Sequence, residues 1–216
     1  MKHFSRIEIE SLEKTFRANL INSVSGCKPA NLVGTINEEG VTNLAIFSSV
    51  IHLGASPALL GFIQRPVGED SHTYKNIKAN GFFTINHVHQ SFTENAHYTS
   101  ARFDVETSEF DACKLGATFL DDFVAPYVTE SQIKIGLRFV QEIPIELNGT
   151  TLIIGQIEQL YINEETIEAD GNIRLDMVSD VVVAGLETYY TIQKSGQFPY
   201  AKVSNSDVST SNLADV

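Results

Sequence analysis

Cationic and hydroxyl side chains are concentrated where a predicted strand ends and a predicted helix begins, at Arg65, His72, Thr73 and Lys75. The free N–H groups of a helix start attract an anion, and a guanidinium donates two parallel hydrogen bonds to one. These residue types in this order predict a phosphate-binding site. Taken alone, SHTYKNIK at 71–78 fits equally well a capped surface helix with solvated cations.

A second set of polar groups lies on the short apolar segment TNLAIFSS at 42–49. Asn43, Ser48 and Ser49 offer hydrogen-bonding side chains there, beside the backbone amides of a strand. Considered by itself, the segment is best interpreted as an ordinary amphipathic strand that ends in a Ser-Ser bend.

Other chemistries are weaker. His87 and His89 lie on one face of a predicted strand and could bind a metal ion with Glu94 or His97. No fourth ligand has a convincing spacing, so surface histidines at a strand end are the preferred interpretation.

Several motif classes are missing from the sequence. The two cysteines lie far apart and predict neither a disulfide framework nor a structural zinc site. There is no Gly-x-Ser-x-Gly, P-loop or Gly-x-Gly-x-x-Gly pattern, which disfavours a hydrolase elbow, an NTPase and a Rossmann crevice.

Turn residues between short apolar runs predict a mainly β chain. Strands are expected at Asn31–Ile36 and 41–48, joined by a polar turn that ends in Gly40. Asn148-Gly149 predicts a hairpin between strands within 133–162. Further strands are expected at 82–88, at 181–184, and at 58–63, the last one buried on both sides and central in the sheet.

The helices are expected to be few. One covers 73–79, is capped by Ser71 or Asp70 and stops at Asn80-Gly81. Residues 91–123 form an irregular arm with helices near 94–103 and 111–115. We expect one domain over 1–203 and a disordered tail, rich in Ser, Asn and Asp, over 204–216.

The composition excludes some functions. The net charge of −12 opposes the phosphate attraction on which nucleic-acid binding depends, and no basic cluster interrupts it. No segment approaches the roughly 18 apolar residues of a membrane helix. The N-terminus resembles no secretion signal, so a cytoplasmic protein is expected.

The order of the pieces resembles the flavin reductase family of the FMN-binding split-barrel fold over about residues 16–202. TNLAIFSS is followed by a Ser-Pro turn, an apolar run that ends in Arg65, and then SHTYKNI. The resemblance implies a β-barrel with short helices that binds FMN. It places the FMN phosphate at Arg65, His72, Thr73 and Lys75, and the ring and ribityl chain along Asn43, Ala45, Ile46, Phe47, Ser48 and Ser49. A family helix that closes over the cofactor corresponds to 95–103 and adds His97 and Ser100.

The resemblance also implies an activity. In this family NADH or NADPH commonly stacks over the flavin, so hydride transfer from nicotinamide to FMN is expected, without a side chain acting as acid or base. A homodimer with flavin near the subunit interface is implied as well. The loop at 67–71 and the long arm depart from the simplest reductases and bear on the nicotinamide pocket.

Two alternatives remain open. The chain could hold FMN tightly and take electrons from another protein. It could also be a non-catalytic ligand-binding or structural barrel, in which 42–49 and 71–75 are an ordinary strand and helix cap.

Overall fold

The computed structural model describes residues 1–68 and 71–201. Asp70, one of the two caps considered for the helix after Arg65, and the tail 204–216 lie outside the described residues.

The described residues form twelve strands and five α-helices. The strands are β1 Lys28–Pro29, β2 Asn31–Ile36, β3 Thr42–Phe47, β4 Ile51–Ala55, β5 Ala58–Gln64, β6 Phe82–His87, β7 Ala117–Thr118, β8 Tyr127–Val128, β9 Lys134–Ile145, β10 Thr150–Tyr161, β11 Val181–Ala184 and β12 Thr188–Thr191. The helices are α1 Arg6–Ser11, α2 Lys14–Val24, α3 His72–Asn80, α4 Thr93–Tyr98 and α5 Glu109–Ala112. None of the helices in the described ranges is long and apolar enough to cross a bilayer.

Seven antiparallel strands form the main sheet, in the order β3-β2-β6-β9-β10-β5-β4. The sheet curls until its two ends approach each other. Phe47 of β3 packs edge-on against Phe62 of β5, with 4.6 Å between ring centroids, and Phe62 packs against Phe83 of β6 at 5.7 Å. No ladder joins β3 to β4, so the barrel stays split along this line.

Two apolar clusters cover the two faces of the sheet. Inside the barrel, Val33, Phe62 and Phe83 pack with Ile77 of α3. On the outer face, Leu32 and Leu44 pack with residues of the arm and of β11, namely Ala96, Phe110, Val181 and Val183. Because successive side chains of a strand point to opposite faces, β2 and β3 supply both clusters.

Two smaller sheets complete the fold, with the orders β1-β11-β12 and β7-β8. The three-stranded sheet is joined to the barrel at β6. His87 Nδ1 lies 2.8 Å from Asp180 Oδ2, and Val181 N–H donates to the carbonyl of Val88 at 2.9 Å.

The locally encoded strands are confirmed. β2 and β3 form the predicted hairpin, with Gly40 at a φ of 86°, and β9 and β10 form the hairpin at Asn148-Gly149. β6 and β11 lie where they were predicted. The stop of α3 is confirmed too, since Gly81 is left-handed with a φ of 76°.

Other expectations were wrong in part. β5 is not central: on one side it pairs with the edge strand β4, a hairpin neighbour across Ser56-Pro57, and on the other side with the distant strand β10. The helix predicted near 94–103 ends at Tyr98, and the one near 111–115 is Glu109–Ala112. The helices α1 and α2 were not predicted. They contain no buried residue. Phe16, Leu20 and Val24 do recur every four residues along α2, a helical spacing that the strand-based interpretation of the chain did not use.

Candidate functional site

Four buried polar side chains meet where α3 packs against β2 and β3. Asn43 Nδ2 donates to Thr73 Oγ1 at 3.0 Å and to Thr35 Oγ1 at 3.2 Å. Asn76 Nδ2 donates to the same Thr35 oxygen at 3.1 Å. Since an unpaired buried polar group costs free energy, these bonds fix the start of α3 against β3. The predicted contacts Asn43 and Thr73 are thus direct neighbours.

The buried position of Thr73 makes its hydroxyl a structural group whether or not a ligand is bound. We expect Thr73→Val to lower the free energy of unfolding by about 1–3 kcal/mol, because Asn43 Nδ2 loses an acceptor that water cannot replace. Thr73→Ser keeps the hydroxyl and should cost less. Urea unfolding of the flavin-free protein measures both, and a Val variant as stable as the parent would contradict this role.

The N-cap residue of α3 does not cap the helix with its side chain. Ser71 occupies the N-cap position, but its Oγ accepts a hydrogen bond from Gly68 N–H at 2.9 Å and does not cap the helix. The predicted capping by Ser71 is therefore wrong. His72 is half-buried and Lys75 exposed on this turn. A helix start that its N-cap residue leaves open, with basic side chains beside it, fits the phosphate of a mononucleotide.

The end of β3 lies beside the end of β5. Ser49 Oγ accepts a hydrogen bond from Ile63 N–H at 3.0 Å, and Arg65 follows two residues later with an exposed side chain. Ser48 and Ser49 are half-buried. The end of β3 and Arg65 therefore lie in one region of the surface. The hydrogen bond between Asn43 and Thr73 joins the same strand to the start of α3.

The predicted contacts on β3 point to opposite faces. Phe47 packs inside the barrel and Asn43 contacts α3, whereas Ile46 packs in the outer cluster beside the arm. Ala45, half-buried, alternates with Ile46 and so shares the face of Asn43. A single ligand can therefore contact residues of both faces of β3 only if it lies across the edge or the end of the strand.

His97 and Ser100 belong to the arm side. His97 Nδ1 lies 3.1 Å from the Tyr189 hydroxyl of β12, and Ser100 Oγ donates to the carbonyl of His97 at 2.7 Å. α4 packs against β3 through the outer cluster, which contains Ala96 and Ile46. The partners of these two residues thus lie in the arm and in β12, and the neighbouring Ala96 belongs to the same outer cluster as Ile46.

The buried carboxylate of Glu109 covers part of the β3 edge, and the sequence did not predict it. Glu109 Oε2 accepts a hydrogen bond from Leu44 N–H at 2.8 Å, and one residue earlier Ser108 Oγ lies 2.7 Å from Thr42 Oγ1. Burial raises the pKa of the Glu109 carboxyl, and the hydrogen bonds from Leu44 and from its own backbone offset this in part. A contact between residues 65 positions apart leaves no local signal in the sequence.

The raised pKa of Glu109 has a defined effect on stability. The native state holds this proton more tightly than the unfolded chain, so stability falls as pH rises from the ordinary value of 4.5 through the raised native pKa. Glu109→Gln keeps an acceptor for Leu44 and has no proton to lose. We expect the Gln variant to become more stable relative to the parent as pH rises through this range. Urea unfolding at several pH values measures the difference, and a constant difference would contradict the linkage.

Two cavities lie in the described part of the chain. One of about 680 Å³ is formed by 168–176 and 192–200, and one of about 420 Å³ lies between α4 and α5. Neither is lined by a residue predicted to bind the cofactor.

The histidines considered as metal ligands have separate partners. His87 is paired with Asp180, and His89 Nδ1 lies 2.8 Å from Ser91 Oγ. Within residues 1–68 and 71–201, no group of three or more His, Cys, Asp or Glu side chains is arranged to hold a metal ion.

Comparison with known proteins gives consistent matches. A family model described as "Flavin reductase like domain" matches residues 25–176. A protein from Shewanella frigidimarina NCIMB 400, assigned as a flavin reductase with split barrel domain, has a TM-score of 0.90 and 47% identity, covering 93% of this chain and 100% of its own. Nitrilotriacetate monooxygenase component B from Bacillus cereus has a TM-score of 0.80 at 21% identity, with 92% and 98% coverage. An FMN-binding protein from Thermus thermophilus has a TM-score of 0.67 at 16% identity, with 81% and 91% coverage.

Proposed function

Because the chain belongs to the flavin reductase like domain family, we propose that it binds FMN and transfers a hydride to it from NADH or NADPH. The observation that carries the proposal is the adjacency of three segments. The Asn43–Thr73 hydrogen bond joins β3 to the start of α3. The Ser49–Ile63 hydrogen bond joins the end of β3 to the strand that leads to Arg65. These two hydrogen bonds bring the residues proposed for the phosphate close to the strand proposed for the ring.

The phosphate group belongs, in this proposal, at Arg65 and the start of α3. The guanidinium is exposed and can turn toward the ligand. The Lys75 ammonium adds positive charge and the His72 imidazole a hydrogen-bonding group at the helix turn that Ser71 does not cap. Charge-assisted hydrogen bonds of this kind are about twice as strong as neutral ones. The buried Thr73 hydroxyl fixes the start of α3 in place by accepting a hydrogen bond from Asn43.

The flavin ring belongs at the edge and end of β3. Leu44 N–H points away from β2, because it donates to Glu109, and alternation along an antiparallel strand aims Ile46 N–H toward the same edge. This amide can donate to the polar edge of the ring. Ser48 and Ser49 follow directly and lie toward Arg65, where the ribityl chain would lead to the phosphate. His97 and Ser100 would approach from the arm side, where the neighbouring Ala96 packs in the same cluster as Ile46.

The flavin would supply the redox chemistry by accepting the hydride. The chain's own residues bind and orient it. The amides and serines at the β3 end would hold the ring in place, with the nicotinamide stacked on it. No side chain is assigned as an acid or base.

We further propose a homodimer. β4 is the edge strand of the sheet opposite β3, next to Ser49 in the chain, and its Ile51 and Leu53 are 44% and 38% exposed. An apolar strand edge with unpaired backbone groups is a surface that a second copy can cover. Light scattering of the purified protein should give twice the mass of the chain, and a monomer mass at micromolar concentration would refute the dimer.

Steady-state oxidation of NADH and of NADPH tests the catalytic proposal. With added FMN the protein should accelerate consumption of one or both nicotinamides, and without flavin it should not. Tight FMN binding with no consumption would favour an electron carrier that takes electrons from another protein. A protein that ignores FMN altogether would be a non-catalytic barrel.

A further inference from the structure

Glu109 links the arm to the strand proposed to carry the flavin ring. It is the first residue of α5 and is only 5% exposed, and its carboxylate reaches Leu44 N–H between Asn43 and Ala45. Leu44 is fully buried and lies on the edge strand, so its N–H has neither a strand partner nor water. A buried N–H without an acceptor is rare because it is costly.

The bond takes the place of a neighbouring strand. Ser108 meets Thr42 and Glu109 meets Leu44, so two consecutive arm residues contact alternate residues of β3. In an antiparallel strand the backbone groups of alternate residues point to the same edge. Ile46 N–H is the next group along this edge, about 7 Å beyond Leu44 N–H at the usual rise of a strand.

We propose that Glu109 is a positioning residue that holds the β3 edge in the register that presents the Ile46 amide to the flavin ring. This inference rests on the proposed function, since it concerns the same flavin site. From Glu109 the connection runs through Leu44 to Asn43 and on to Thr73 at the start of α3. Glu109 itself does not touch the flavin.

The effect on binding follows from the population of the ordered strand. If the edge frays when Leu44 N–H loses its acceptor, only a fraction of molecules presents the ring site, and the apparent dissociation constant rises by the inverse of that fraction. Because the ring is common to FMN and riboflavin, both ligands should weaken by the same factor. A phosphate contact would instead affect FMN alone.

The test is flavin fluorescence titration of the full-length protein and its variants with FMN and with riboflavin. Glu109→Ala is expected to weaken both by about tenfold, within the range for a lost buried hydrogen bond to a charged group. Glu109→Gln retains an acceptor and should bind both flavins within about twofold of the parent, a margin well below that loss. If the Ala variant fails to fold, Glu109→Asp keeps the charge but withdraws it by one methylene, and should weaken both ligands equally.

Glu130→Ala is the matched control. Its carboxylate also accepts a backbone N–H, from Gly116 at 3.0 Å, but it is exposed and does not contact β3. This variant should bind both flavins like the parent. Unchanged affinity in Glu109→Ala or Glu109→Asp, or failure of Glu109→Gln to rescue, would overturn the positioning role. A parent protein that binds no flavin would refute the proposed function itself, so the two failures are distinguishable.

Discussion

Removal of the Arg65 guanidinium should weaken FMN by about 10- to 150-fold and leave riboflavin almost unchanged, since a hydrogen bond to a charged group contributes about 1.5–3 kcal/mol. Arg65 is exposed and follows Gln64 at the end of β5, where Ser49 joins the end of β3. Only FMN carries the phosphate that this side chain would bind. Titration of Arg65→Ala with the two ligands gives the ratio directly.

Lys78→Ala provides the matched control for Arg65. Lys78 is also a surface cation close to α3, but it lies in the last turn of the helix and pairs with Glu142 at 3.1 Å. Its removal changes the net charge by the same amount without touching the start of α3. Equal weakening of FMN and riboflavin in Arg65→Ala, or an equal loss in Lys78→Ala, would remove Arg65 from the phosphate site.

Truncation of Phe62 should have the largest effect on stability. Phe62 is fully buried and lies between Phe47 of β3 and Phe83 of β6, so it joins the two ends of the curled sheet. Replacement of a buried phenylalanine by alanine costs about 3–5 kcal/mol. Because Phe47 would lose its partner, Phe62→Ala should also weaken FMN. Urea unfolding without flavin measures the first effect, and titration of the folded variant measures the second.

Phe198→Ala removes the same side chain from a position that is 89% exposed. It should change the free energy of unfolding by less than about 0.5 kcal/mol, as is usual for surface sites. A loss of unfolding free energy below about 1 kcal/mol for Phe62→Ala would contradict this prediction. It would mean that other contacts hold β3 and β5 together across the split of the barrel.

The parts of the fold that the sequence predicted are those set by local turn chemistry. Gly40 and Asn148-Gly149 determine two hairpins within a few residues of chain, and Gly81 ends α3 because its left-handed φ suits glycine. The place of β5 in the sheet could not be found in this way. It depends on the local hairpin with β4, which was not predicted, and on pairing with the distant strand β10, and a short apolar run says nothing about either.

The candidate site shows the same division. The sequence pointed to β3, Arg65 and the start of α3 as separate pieces, and their role in FMN binding stays a prediction. The hydrogen bonds that connect these pieces could not be predicted from the sequence. The Asn43–Thr73 bond joins residues 30 positions apart in the chain, and the Leu44–Glu109 bond joins residues 65 positions apart. A glutamate in an irregular arm carries no sign that it will be buried against a strand edge.

The most direct test of the proposed activity is the visible spectrum of the purified protein with one equivalent of FMN under anaerobic conditions, recorded before and after addition of NADH and then NADPH. We predict that binding shifts the oxidised flavin band and that one or both nicotinamides bleach it within the mixing experiment. Bound flavin that neither nicotinamide bleaches would contradict hydride transfer, and an FMN spectrum that the protein leaves unperturbed would contradict flavin binding altogether.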